Sequence, residues 1–186
     1  MQKDELLERT FKGVAREFVR TFTELVPQGS GQLVMIRSLV QSGQSMVKKY
    51  SGVSCKVCFG GEETKKMEQL SGGQKTVVAL ALIFAIQRCD RAPFYLFDEI
   101  DAALDPQYRI NVANIISRQA NDGQNPTQFI QTTFAPELVN VADHVYGVTY
   151  KNKVSSVDLI DKEEGLSFLK MDTQAEQEVG KRKRRS

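Results

Sequence analysis

Two short stretches hold the residue types that can do chemistry: Leu70-Ser71-Gly72-Gly73-Gln74 and Phe94-Tyr95-Leu96-Phe97-Asp98-Glu99. The first puts a serine and two glycines where a helix should begin. A helix mouth offers unpaired backbone N–H groups and the positive end of the dipole, which suits a phosphate. Glycine lets that backbone approach closely. The second stretch is four bulky apolar residues ending in two adjacent carboxylates. It reads as a buried parallel strand with acids at its C-terminal end, where open α/β sheets place their ligands. One half grips phosphate, and the other can hold Mg²⁺ and activate water. Together they point to nucleotide hydrolysis.

The rest of the chain must position these two pieces. Leu7, Phe11, Val14, Phe18, Phe22 and Leu25 recur at three- and four-residue steps, which predicts an amphipathic helix over residues 3–25. It either docks on its own domain or is the end of a longer coiled coil. Pro27 to Gly31 breaks it, and a strand follows over Gly31–Ile36. Residues 37–51, polar and rich in Ser and Gln, read as a mobile loop. Val53, Cys55, Val57 and Phe59 alternate with smaller or polar residues, as in a half-buried strand of a small antiparallel sheet. From Gly72 to Arg88 the pattern is helical and apolar nearly all round, so that helix should be buried.

Asp105-Pro106 opens a further helix to about Ala120, with Asp105 as cap and Pro106 in the first turn. Strands are expected at Thr127–Thr132, His144–Tyr150 and Val154–Ile160, and a short helix at Pro136–Ala142. The alternation gives an α/β class with a mainly parallel sheet, flanking helices and a small antiparallel sheet.

Composition agrees with a globular domain: 186 residues, 41% hydrophobic and 26% charged. No run approaches the roughly 18 apolar residues of a membrane span, so no membrane partner is expected. The net charge of +2 hides an asymmetry, because Lys181–Arg185 holds five of 25 basic residues and the remaining 20 face 23 acids. Residues 171–186 read as a disordered basic tail. Cys55 and Cys58 form a C-x-x-C with no second pair or nearby histidine. They are expected as strand cysteines rather than a zinc or redox site.

No G-x-x-x-x-G-K-[ST] run occurs; Gly72-Gly73-Gln74-Lys75-Thr76 only imitates one. The chain has carboxylates and a phosphate-gripping helix without the main phosphate cradle, which is half of a site.

Leu70–Gln74 resembles the signature of ATP-binding-cassette ATPases, Phe94–Glu99 their Walker B strand, and Leu104-Asp105 their D-loop. Met67–Lys75, Ala79–Gln87 and Ala92–Asp101 together resemble the structural-maintenance-of-chromosomes family, in particular its cohesin branch. Thr132-Thr133-Phe134 and Pro136-Glu137-Leu138 fit the same branch, and Thr132-Thr133 stand where transporter cassettes carry a switch histidine. Ala135 departs from the branch's usual arginine.

The resemblance implies an assignment to the C-terminal half, or lobe, of an ABC-type P-loop ATPase head over residues 27–170, with residues 1–26 as the end of a coiled-coil neck helix. It implies ATP and Mg²⁺ as cofactors, with Asp98 holding the metal through water and Glu99 as catalytic base. Leu70, Ser71, Gly72, Gly73 and Gln74 would meet, in trans, a nucleotide held by a partner head, with Leu104 and Asp105 at the head–head interface. The implied partners are the N-terminal lobe of the same protein, a partner head in a heterodimer, a kleisin at the neck helix, and DNA. Activity is expected only in the assembled complex, at chromosomes in the nucleus. The alternatives are a head of a condensin-like or repair ATPase, and a non-hydrolysing structural head.

Overall fold

The computed structural model describes residues 2–42, 45–61 and 63–170; the expected tail at 171–186 lies outside the described residues. They divide into two compact units, residues 2–93 with 103–111, and residues 94–102 with the described residues from 112 onward.

The first unit opens with helix α1, Gln2–Leu25. Its apolar stripe is buried only toward the C-terminal end: Phe18, Phe22 and Leu25 are fully buried, whereas Leu6 and Leu7 are exposed. Strands β1, Ser30–Ser42, and β2, Ser45–Cys58, form a long antiparallel hairpin, and the short β3, Lys65–Lys66, pairs with the base of β2. A 3-10 turn at Met67–Gln69 then leads into α2, Gly72–Cys89.

The core of this unit is an aromatic row. Phe18 stacks on Phe22 at 5.8 Å, Phe22 meets Phe59 edge-on at 5.4 Å, and Phe59 meets Tyr108 at 6.5 Å. Gly31 is placed by this row, since a Cβ there would lie 2.9 Å from Phe18 and 3.0 Å from Phe22. α2 contributes Val77, Val78, Leu80, Ala81, Phe84 and Ala85 to the buried set, as its all-round apolar pattern predicts.

The expected loop at residues 37–51 is instead the outer part of the β1–β2 hairpin, apart from residues 43–44, which lie outside the described residues. Antiparallel pairing satisfies backbone groups without a buried face, so polar side chains do not forbid it. A side-chain cluster ties this hairpin to α1. Arg37 Nη2 donates to Glu8 Oε1 at 2.9 Å, the Tyr50 hydroxyl donates to the same oxygen, and the Arg37 guanidinium lies 4.9 Å from the Tyr50 ring centroid. The bond from Tyr50 holds the Glu8 carboxyl below its usual pKa and raises that of the tyrosine. Cys55 and Cys58 are free thiols, and burial raises the Cys55 pKa to about 11.

The second unit contains β4, Phe94–Asp98, and β5, Gln128–Thr132, paired in parallel with Asp98 opposite Thr132. Between them in sequence runs α3, Pro106–Ala120, whose Val112, Ala113, Ile115 and Ile116 are buried. Then come α4, Pro136–Val141, the antiparallel pair β6, Val145–Lys151, and β7, Val154–Ile160, and a closing helix α5 over residues 162–170.

The expectation of a mainly parallel sheet is therefore corrected. Among the described residues only β4–β5 is parallel; the other two sheets are antiparallel. The connection from β6 to β7 is the two-residue turn Asn152-Lys153, and so short a link can join only antiparallel strands. Both turn residues have positive φ, 53° and 63°. That is the backbone of a type I′ hairpin turn, and a lysine there carries a left-handed penalty of roughly 1–2 kcal/mol. Lys153→Gly should raise stability by about 1 kcal/mol, read as a higher urea midpoint at unchanged m-value.

Candidate functional site

The helix mouth forms as the sequence predicts. Ser71 is the N-cap of α2 with extended backbone, φ −66° and ψ 165°. Its Oγ accepts from Gln74 N–H at 3.3 Å, and Gln74 Oε1 accepts from Ser71 N–H at 3.1 Å. The first intrahelical bond runs from Lys75 N–H to the Ser71 carbonyl. This reciprocal capping box satisfies the outer two orphan donors and leaves the N–H groups of Gly72 and Gly73 as the pair facing out of the helix end. The Ser71 hydroxyl, accepting with a lone pair, keeps its proton to donate.

Leu70, just ahead of the cap, is buried. Gly73 faces the turn at 103–105: a Cβ there would sit 2.9 Å from the Ala103 carbonyl oxygen. Leu104 is buried, while Asp105 is exposed and gives its carbonyl to Arg109 N–H at the start of α3. The structure thus brings the signature stretch and Leu104-Asp105 together in the first unit.

The second unit assembles the carboxylates. β4 ends at Asp98, and Glu99 follows with φ 47°, outside the regions that a non-glycine residue prefers. The end of β5 holds it there, since Glu99 N–H donates to the Thr132 carbonyl at 3.2 Å and to Thr132 Oγ1 at 3.1 Å. Thr132 Oγ1 in turn donates to Asp98 Oδ1 at 2.6 Å. Next along, Thr133 Oγ1 donates to Asp101 Oδ2 at 2.8 Å and accepts from Ala135 N–H at 2.9 Å. Asp98 and Glu99 are both exposed, so their carboxylates are available to a ligand.

Sequence reasoning gave no role to Asp101. It is 96% buried by exposure of only 4%, and its Oδ1 has no partner. The available signal was an acidic residue three positions after Asp98 that precedes two alanines and a leucine. Ala135, the departure from the branch pattern, is fully buried as the N-cap of α4.

Among the described residues, no group of three or more His, Cys, Asp or Glu could hold a metal ion by itself. No described helix is long and apolar enough to cross a membrane. The exposed Asp98 carboxylate, with one oxygen not engaged by Thr132, fits a hard divalent cation completed by water and phosphate oxygens.

Comparison with known proteins bears on the family. A family model described as the RecF/RecN/SMC N terminal domain matches residues 11–156. The chain is 56% identical to structural maintenance of chromosomes protein 3 of Arabidopsis thaliana over 92% of its own length, which is 15% of that relative. Among solved structures, one described as "Structural biochemistry of ATP-driven dimerization and DNA stimulated activation of SMC ATPases" superposes with a TM-score of 0.76 at 32% identity, covering 91% of this chain and 96% of the other. An Smc head domain with an extended coiled coil bound to the C-terminal domain of ScpA, from Pyrococcus furiosus, superposes with a TM-score of 0.70 at 31% identity, covering 92% of this chain and 40% of the other.

The description of the family model as an N terminal domain overturns the assignment of the chain to the C-terminal lobe of the head. That assignment leaned on the lack of a G-x-x-x-x-G-K-[ST] run. In a chain spanning 15% of its relative, such a lack places nothing.

The two glycines of the signature separate by their surroundings. Gly73→Ala should cost about 1–3 kcal/mol by forcing the helix mouth off the Ala103 carbonyl. Gly72→Ala, with nothing within 4 Å of the new Cβ, should instead gain about 0.4–1 kcal/mol. Urea midpoints of the two variants against the parent check both signs.

Proposed function

The chain belongs to the structural-maintenance-of-chromosomes (SMC) family of ATPase heads, and from that premise we propose that it supplies the signature helix and the carboxylate strand of composite ATP sites in a cohesin-type chromosome ATPase. The observation that carries this reading is the end of β4. There Thr132 of the neighbouring strand holds the Asp98 carboxylate and the backbone N–H of Glu99, whose backbone is left-handed, with both side chains exposed. Strain of that kind, held in place by its surroundings, marks a functional position.

Asp98 would hold Mg²⁺ through water, leaving the carboxylate oxygen not engaged by Thr132 to face it. A bound Mg²⁺ would neutralise charge on the phosphate oxygens. Glu99 orients a water for in-line attack on the γ-phosphorus and takes its proton. Ser71, through its hydroxyl, and the Gly72 and Gly73 N–H groups bind γ-phosphate oxygens of a nucleotide presented by a partner head. Leu70 seats the helix mouth in the core and Gln74 closes the capping box. Asp105, exposed beside Leu104, meets the partner across the head interface. Thr132 and Thr133 stand at the switch position.

On this reading, turnover needs assembly with a segment that carries a G-x-x-x-x-G-K-[ST] loop. ATP then joins two heads and hydrolysis releases them, with DNA entrapment or loop formation and sister-chromatid cohesion as the outcome. A kleisin partner is supported by the Pyrococcus furiosus head, which is bound to the C-terminal domain of ScpA, and α1 would be its seat on this chain. The chromosome, in the nucleus, is the site of action.

The test is ATP turnover by the full-length protein mixed with its partner head. Glu99→Gln should lower kcat by about 10²–10⁴-fold and make engaged heads accumulate. Ser71→Arg, which fills the phosphate seat, should abolish partner-dependent turnover. Unchanged turnover in both variants would reject the composite site.

A further inference from the structure

We propose that Thr132 is a positioning residue of the ATP site, whose hydroxyl orients the metal-holding carboxylate and anchors the base in one hydrogen-bonded unit. This role presupposes that Asp98 faces the metal and that Glu99 is the base. Three contacts define it. Thr132 Oγ1 donates to Asp98 Oδ1 at 2.6 Å, accepts from Glu99 N–H at 3.1 Å, and lies at the register position directly opposite Asp98. A hydroxyl has one proton and two lone pairs, so one atom can make both bonds at once. With Oδ1 engaged, the carboxylate plane of Asp98 is fixed and Oδ2 is the oxygen left for a metal-bound water.

The second bond bears on the base. Glu99 stands at φ 47°, and such a conformation persists only when its surroundings over-determine it. Two acceptors from the same residue, the Thr132 carbonyl at 3.2 Å and its hydroxyl, converge on the Glu99 N–H. The neighbouring residue repeats the device: Thr133 Oγ1 donates to the buried Asp101 at 2.8 Å while accepting from Ala135 N–H. Adjacent threonines at the end of β5 therefore hold the turn after β4 at Asp98, Glu99 and Asp101. Thr132 does not take part in proton transfer or touch the reacting atoms; it acts through the two residues that do.

Thr132→Val is the informative change, because valine keeps the branched shape and removes only the hydroxyl. The Thr132 carbonyl still accepts from Glu99 N–H, so the strand pairing survives. Partners of metal-holding groups typically contribute 10–100-fold to affinity or activity. In the full-length protein assembled with its partner head, T132V should lower kcat by about 10–100-fold with KM for ATP within about twofold at saturating Mg²⁺.

A readout independent of turnover is the Mg²⁺ midpoint for ATP-dependent head engagement, followed by sedimentation in the Glu99→Gln background. T132V should raise that midpoint, and Thr132→Ser, which restores the hydroxyl, should return both the midpoint and kcat toward the parent. Three results overturn the role. If T132V leaves kcat and the midpoint unchanged while Glu99→Gln abolishes turnover, Thr132 has no positioning function and the site reading stands. If T132S is as impaired as T132V, the hydroxyl is not the agent. If Glu99→Gln itself keeps full turnover, the reading of the site falls and this role with it.

Discussion

The strained backbone of Glu99 depends on parallel pairing between β4 and β5. An isolated strand end would relax to an ordinary conformation, because a left-handed residue other than glycine costs roughly 1–2 kcal/mol. Pairing Asp98 with Thr132 places a carbonyl and a hydroxyl where the Glu99 N–H must point, and those bonds offset that cost. The aromatic cluster of Tyr95, Phe97 and Phe129, with centroids 5.8–6.3 Å apart, holds the two strands in that register. A one-residue slip would turn those rings to the other face and withdraw Thr132 from Asp98. Holding the Asp98 carboxylate and the Glu99 backbone is thus a consequence of apolar packing along the same strands.

The signature helix is held by a different force. Its N-terminal end is closed by the Ser71–Gln74 capping box, and its C-terminal end is tied by charge to α1. Arg88 lies 2.9 Å from Glu24 and 3.7 Å from Glu17, and Glu17 is itself buried with Arg16 and Arg20 at 3.2 and 3.5 Å. A buried carboxylate left unpaired is strongly unfavourable, so the pairing fixes which faces of α1 and α2 meet even where its net contribution to stability is small. Phe18, Phe22, Ala81, Phe84 and Ala85 supply the stabilisation; the ions supply the register.

Much of this was legible in the sequence. The helical steps of Leu7 to Leu25, the Ser71-x-x-Gln74 capping box and the apolar run ending at Asp98-Glu99 each state a local preference that tertiary packing preserved. What failed was the reading of segments by polarity. Residues 37–51 are polar and rich in Ser and Gln, yet backbone pairing extends the hairpin through most of them. The sheet was read as mainly parallel from strand–helix alternation, although a two-residue turn at Asn152-Lys153 already required an antiparallel pair. The lobe assignment failed for another reason, since it drew position from what the chain lacks. The ties from Thr132 and Thr133 were illegible because they join residues more than 30 positions apart, and no local pattern records which hydroxyl meets which carboxylate.

The face of β4–β5 that carries Phe94, Leu96 and Ile130 is exposed. Phe94, Leu96 and Ile130 are 51%, 67% and 51% exposed on a parallel pair, although parallel sheets are found with both faces covered. The hairpin repeats the pattern, with Tyr146, Val148, Val157 and Leu159 all more than 60% exposed. Apolar residues on one face, set at the two-residue spacing of strands, are a surface built to be buried. The same strand therefore leaves apolar side chains uncovered along its length and carries two exposed carboxylates at its end.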